Sequence, residues 1–230
     1  MDDCRVLAKQ GAPEGTVVSA NFQGRGRGRF KRTWVSPPGE NIQISVLVRP
    51  RLSHLCYLNM AATLAISETA LMITSHINDI KWPNDVQING KKLSGILIES
   101  EISGSIVDFA IIGIGLNVNL DPGEHLEISG TSTSLKEVAG TTISRSYTLH
   151  FLLERLDFYY RQILEGKSLT SQWQSKINTI GKEITLSFPE AGKEQIKGTA
   201  NSINEDGSLV VKKSDGSIFN AVAGEVTLQE

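Results

Sequence analysis

The densest chemistry in the chain lies at residues 23–34, QGRGRGRFKRTW, where Arg25, Arg27, Arg29 and Arg32 cluster with Lys31. Gly24, Gly26 and Gly28 alternate with the first three arginines. Glycine removes side-chain bulk and widens the accessible φ range, so the backbone can pass close to a ligand. If the stretch is extended, Arg25, Arg27 and Arg29 share one face, because side chains alternate with period two. A row of guanidiniums suits a phosphate or carboxylate, which arginine clamps with two hydrogen bonds. The expectation is a pliable loop that grips an anion and closes over it. Taken alone, the same residues also fit a solvated basic loop or an arginine–glycine patch for nucleic acid.

Further polar clusters follow. Lys81-Trp82-Pro83-Asn84-Asp85 ends an apolar run with groups that are costly to bury without a purpose, although an Asx turn would use the same residues. In the segment KLSGILIE, Lys92 opens an otherwise apolar strand and Gly95 lets something approach its backbone; a lysine reaching solvent from a strand end is the plainer reading. Gly113-Ile114-Gly115-Leu116-Asn117 looks like part of a dinucleotide fingerprint, but the third glycine and the following helix are missing, which excludes that assignment.

The elements that must position these groups can be read from patterning. A chain of 230 residues, 40% hydrophobic, supports one large domain or a main domain with a small one. A net charge of -2 argues against a general nucleic-acid coat. Cys4 and Cys56 are too few for a disulfide framework or a cysteine metal cage, and His54, His76, His125 and His150 are scattered. Met1 is followed at once by Asp2 and Asp3, with no signal sequence, and the apolar runs read as shorter than a membrane span. These features point to a soluble protein of a reducing compartment.

The chain opens as if already inside a helix, stopped by Gly11 and Pro13. Residues 16–20 predict a short buried strand, 36–39 a turn, and 42–48 a central strand. Ser53 reads as the N-cap of a long helix to about Ser75, with Leu55, Leu58, Ala62, Ala65, Ile66, Thr69 and Met72 on one face. A strand at 78–82 is broken by Pro83. Residues 86–88 and 93–99 flank Asn89-Gly90 as a hairpin, and 106–114 form another strand. The loop-rich span 121–145 holds one helical turn near 134–138. Leu149, Leu152, Leu153, Leu156, Tyr160, Ile163 and Leu164 define an amphipathic helix closed by Gly166, and Leu169, Trp173 and Ile177 a shorter one. From Gly181 onward, short strands (KEITLSF, QIKGTANSI, SLVVKK, SIFNAVAG) separated by turns with Pro189, Gly192, Gly207 and Gly216 predict a small β-barrel. The boundary falls near 176–181.

In this order, the loop and the clusters together resemble the catalytic domain of biotin protein ligases. The family's Q-x-x-G-R-G-R-x-G-R-x-W is matched by Gln23, Gly26, Arg27, Gly28, Arg29, Arg32 and Trp34. Its K-W-P-N-D stands intact at 81–85, its K-L-x-G-I-L at 92–97, its G-x-G-x-N at 113–117, and its closing G-E-V at Gly224-Glu225-Val226. Lys31 occupies the loop's last glycine position, and Gly24 and Arg25 replace small or polar residues. The family also has a strand and a biotin-lining Ser-Thr pair just upstream of its first helix; here the chain begins past that point, so a truncated start is expected. No DNA-binding helix-turn-helix is visible.

The resemblance implies an α+β fold: a mixed β-sheet flanked by helices, of the class II synthetase and biotin–lipoate ligase type, over residues 1–178. A small Src-homology-type β-barrel follows over 181–230. It implies a ligase that makes biotinyl-5′-AMP from biotin and ATP, with Mg²⁺ on the phosphates and no side-chain metal cluster. The acyl group then passes to a lysine of a biotin carboxyl carrier protein, part of acetyl-CoA carboxylase or a related enzyme. Arg29, Lys92 and Asp85 are the implied catalytic residues. Gln23, Arg27, Gly28, Arg29, Lys92 and Gly95 would bind biotin, and Arg27, Arg29, Arg32, Trp34 and Asn117 the ATP or adenylate. A cytoplasmic protein without nucleic-acid or membrane partners is implied, with a homodimer as one possible state. The alternatives are a lipoate-type ligase sharing the chemistry, and a non-catalytic binder of biotin, nucleotide or RNA; an aromatic content of 6% disfavours RNA.

Overall fold

Helix α1 (Asp2–Lys9) carries acidic residues in its first turn and Lys9 in its last, the charge order that a helix dipole favours. A computed structural model describes residues 1–189 and 195–228, with Lys31 described by its backbone alone; the predicted turn at Gly192 lies outside the described residues. Strands β1 (Val17–Ala20) and β2 (Ile42–Val48) precede the long helix α2 (Leu55–Thr74). Strands β3 (Asp79–Lys81), β4 (Asp85–Ile88), β5 (Lys91–Ser103) and β6 (Ile106–Leu116) follow. Helices α3 (Leu135–Ala139), α4 (Arg145–Leu164) and α5 (Thr170–Gln174) lead into the last strands, β7 (Glu183–Ser187), β8 (Gln195–Ile203), β9 (Leu209–Lys212), β10 (Ile218–Ala221) and β11 (Glu225–Leu228).

The first sheet has the order β1-β2-β6-β5-β4-β3, and each of its ladders is antiparallel. Among the described residues, parallel pairing is confined to isolated bridges, Ile80 to Ile177 and Lys92 to Ser132. β2 is buried along its whole length. β1 was expected to be buried, but it lies at the sheet edge and alternates exposed and half-buried residues. Asn89 (φ +52°) and Gly90 (φ +75°) make the predicted tight turn between β4 and β5, two successive left-handed residues that match the twist of a hairpin.

α2 covers one face of this sheet. A tight turn at Leu52–His54 precedes it, so His54 and not Ser53 takes the cap position, without a side-chain cap bond. Its burial is wider than the predicted stripe: Met60, Ala61, Leu64 and Ala70 are buried too, whereas Met72 is exposed. Contrary to the sequence expectation, the helical stretch 52–74 is long and apolar enough to cross a membrane by length and composition. The share of that apolar window buried inside the protein is 61%, the pattern of a core helix. Ser134 and Ser144 cap α3 and α4 by accepting the amides of Glu137 and Tyr147.

α1 covers part of the opposite face, packing Cys4 and Ala8 on Leu47, Phe109 and Ile111. The C-terminal strands form a five-stranded antiparallel sheet, β10-β9-β8-β7-β11. β11 was not read as a strand; its four residues after Gly224 are too short to show a period. One hydrophobic core runs from β2 and α2 through to β11, and the Trp82 indole donates to the Gly207 carbonyl at 3.0 Å, joining the two sheets.

Candidate active site

The floor of the site is a platform of backbone. Gly95 on β5 lies opposite Gly115 on β6, and Gly113 opposite Leu97. A Cβ on Gly115 would meet the Trp34 indole at 2.5 Å, and one on Gly95 would meet the same ring at 3.4 Å. Of the glycines that mimic a dinucleotide fingerprint, Gly115 therefore makes room, with Gly95, for an aromatic ring, whereas a Cβ on Gly113 would meet Met1 Sδ at 2.8 Å.

β5 carries an irregularity that decides where its lysine points. Asp85 pairs with Gly95 and Gln87 with Lys92, so β5 has one residue more than β4 across that interval. In a regular strand Lys92 and Gly95, three apart, would face opposite sides. The extra residue brings both to the face of Asp85. Lys92 Nζ then lies 2.7 Å from Asp85 Oδ1 and 5.8 Å from the centre of the Trp34 ring. The Lys92 backbone is held by residues 131–133, its amide donating to Thr131 and its carbonyl accepting from Thr133, both at 2.9 Å.

The basic loop is folded as a narrow hairpin, not as an extended row. Arg27 bridges to Thr33, Gly28 donates to Arg32 at 2.8 Å, and Trp34 donates to Gly26 at 3.0 Å. Phe30 sits at its tip with φ +54°. Gly26 is the glycine that this turn demands, since a Cβ there would lie 2.3 Å from the Trp34 carbonyl oxygen. The hairpin splays its arginines instead of aligning them. Arg27 reaches Asp2 of α1 at 2.6 Å and Glu99 of β5 at 3.8 Å. Arg29 donates to Asn84 at 3.0 Å and lies over the Phe30 ring. Arg32 grips Glu225 of β11 with both terminal nitrogens. The hydrogen bond from Arg27 holds the Asp2 carboxyl below its ordinary range and raises the Arg27 guanidinium in turn.

These elements enclose a cavity of about 630 Å³. Gln23, Arg27, Gly28, Arg29, Arg32, Trp34, Asp85, Lys92, Gly95 and Asn117 all line it, so the predicted site residues converge from separate segments. Arg25, also part of the proposed arginine row, is not among the lining residues. Asn117 is present chiefly as a brace: it is buried, donates to the Thr133 carbonyl at 3.0 Å and accepts from Asn41. Asn84 is braced too, donating to Ile96 at 2.8 Å while receiving Arg29.

Sequence reasoning missed several lining groups. Thr131 and Ser132 come from the long loop after β6, and Glu225 from a strand 193 residues beyond its arginine. The G-E-V match contained Glu225 but carried no hint of its ion pair. Among the described residues no group of three or more His, Cys, Asp or Glu could hold a metal. The carboxylates on the cavity wall are Asp85, Glu127 and Glu225, of which Asp85 and Glu225 are ion-paired.

Comparison with known proteins places this geometry. The Biotin/lipoate A/B protein ligase family matches residues 6–117. Biotin--protein ligase 2 of Arabidopsis thaliana is 35% identical, covering 93% of this chain and 70% of that protein. Bifunctional ligase/repressor BirA of Bacillus subtilis is 34% identical over 91% of this chain, which spans 65% of that relative's length. Among solved structures, biotin protein ligase from Aquifex aeolicus in complex with biotin and ATP superposes with a TM-score of 0.81. It is 30% identical and is covered over 98% of this chain and 93% of that one.

Proposed function

The chain belongs to the biotin protein ligase family, and on that premise we propose that it activates biotin with ATP to biotinyl-5′-AMP and then passes the acyl group to a lysine of a biotin carboxyl carrier protein. The observation that carries the reading is the convergence of the five motif segments on one cavity with a glycine floor and cationic walls.

In the first step a carboxylate oxygen of biotin attacks the α-phosphorus of ATP, and the bond from that phosphorus to the pyrophosphate oxygen breaks. The carboxylate is already ionised at neutral pH, so no general base is required. Both reactants are anions, and the site's task is to supply positive charge where it builds. Lys92, Arg27 and Arg29 take that role; one such contact lowers a barrier by about 3–4 kcal/mol. A magnesium ion bound with ATP would supply further neutralisation of phosphate charge.

In the second step the ε-amine of the carrier lysine attacks the acyl carbon, the bond to AMP breaks, and the amine loses a proton. Asp85, beside Lys92, orders the approaching amine. The mixed anhydride hydrolyses if wet, so the hairpin at 23–34 must exclude water while it waits. Gln23, Gly28 and Gly95 complete the biotin side, and Trp34, Arg32 and Asn117 the adenylate side. The division into 1–178 and 181–230 gives the smaller unit a part in this closure through Glu225. The reading implies a cytoplasmic enzyme.

Biotin-dependent exchange of pyrophosphate into ATP tests the first step. Exchange with biotin, and none with lipoate or octanoate, is expected; exchange with lipoate alone, or none, overturns the reading. Mass addition at one lysine of a purified carrier domain tests the second.

A further inference from the structure

Gln43 of β2 is a buried polar side chain that the fold does not explain. It is 2% exposed, and among the described residues neither its Oε1 nor its Nε2 has a hydrogen-bond partner. Buried amides are almost always paired, because leaving one unpaired sacrifices its hydration for nothing. An apolar side chain would suit the position if packing were its only duty; the opposite face of the same strand is built of Ile42, Ile44 and Val46.

It lies next to the cavity floor, beside the lining residues Ile44 and Ser45, without lining the cavity itself. Gln43 lies opposite Gly115, which lies opposite Gly95, so the three form one row across β2, β6 and β5. Residues directly opposed in an antiparallel ladder project to the same face. Ser45, two positions along on that face, lines the cavity with Gly113 and Gly115. The Trp34 ring rests on Gly115, and its Nε1 is a second buried donor without a partner among the described residues. An unpaired amide beside Gly115 and an unpaired indole N–H on Gly115 thus border the same floor.

We infer that Gln43 is a specificity-determining residue of this site, whose carboxamide pairs in plane with a flat ligand edge presenting an N–H donor beside an acceptor. Trp34 Nε1 gives a further donor to the acceptor on that edge. The inference rests on the proposed function, which brings two such edges to the cavity. One is the ureido ring of biotin, with N–H beside C=O. The other is adenine, whose amino group donates to a glutamine amide oxygen while its N7 accepts from the amide nitrogen.

The test is Gln43→Met, which keeps the side chain's length and removes both polar atoms. Biotin affinity is read by calorimetry, the KM for ATP by pyrophosphate exchange at saturating biotin, and the unfolding midpoint on unliganded protein. The expected result is at least a tenfold weakening in one of the two ligand readings, the other staying within twofold, with an unfolding midpoint at or above wild type. Loss in the biotin reading assigns the ureido edge, and loss in the ATP reading the adenine edge. Both readings within twofold, both weakened together, or a lowered midpoint overturns the inference, the last because the amide would then be holding the fold. Wild-type protein without biotin binding or exchange would instead overturn the proposed function.

Discussion

The floor of the cavity and the hairpin above it are built by opposite means. The floor is strand register: Gly95, Gly115 and Lys92 are placed by ladders that bury β2 and β6 on both sides. The hairpin is tied down by side chains reaching three different neighbours, and its ion pairs are open to water. The Arg27 and Asp2 side chains are 50% and 74% exposed, and Arg32 is 63% exposed. Exposed pairs contribute little and are screened by salt. The floor is therefore preorganised, while the hairpin's tethers are weak enough for a bound anion to exchange with Asp2 or Glu225 for the same arginines.

The contrast can be broken from the floor side first. Lys92→Ala should slow biotin-dependent pyrophosphate exchange by roughly 10²–10³-fold, the scale of losing one preorganised charge contact. A loss under fivefold would move the key cation to the hairpin. Gly115→Ala puts a methyl group within 2.5 Å of the Trp34 indole. Overpacking of this kind costs about 1–3 kcal/mol, read as a lowered denaturation midpoint. No change would mean that Trp34 leaves the platform easily, and that the floor ends at the backbone.

The hairpin side gives smaller effects. Arg29→Ala should raise release of biotinyl-adenylate into solution by roughly tenfold, a change of about 1.4 kcal/mol in its retention. Unchanged leakage would remove the hairpin's role as a water barrier. Arg32→Ala should cost at most about 1 kcal/mol in stability and nothing measurable in high salt. A larger, salt-insensitive loss would make the contact with β11 part of the rigid frame. The smallest effect is on pH. The Asp2 carboxyl is held below its ordinary value near 3.8 by Arg27, so its contribution is present above that value and is lost as pH falls beneath it. An NMR titration of Asp2 should show a midpoint under 3.8 that returns upward in Arg27→Ala; an unmoved midpoint would detach the hairpin from α1.

Most elements were legible because each has a local cause. The Asn89-Gly90 turn and the stop at Gly166 depend on residues within one turn of each other. What escaped depends on distant partners. The exposure of β1 follows from its place at the edge of the sheet, and the wide burial of α2 from being covered by both the sheet and α4. Asn117 stands at a motif position but spends its amide on Thr133 and Asn41, which no spacing reveals.

The site divides in the same way. Residue types and order alone determined the family resemblance, the cationic loop and the motif residues among those that meet in the cavity, because charge, glycine freedom and motif spacing are properties of the chain. The directions of those residues were decided only in the tertiary structure. Arg27 and Arg29, which alternate as a row in the sequence, point to α1 and to Asn84, and Arg32 points to β11, because a hairpin with its tip at Phe30 cannot keep strand alternation. Lys92 and Gly95 share a face because β5 holds one residue too many for its partner. The platform under Trp34 and the unpaired amide of Gln43 exist only where β2, β5 and β6 lie side by side, in a register fixed by burying both faces of the sheet.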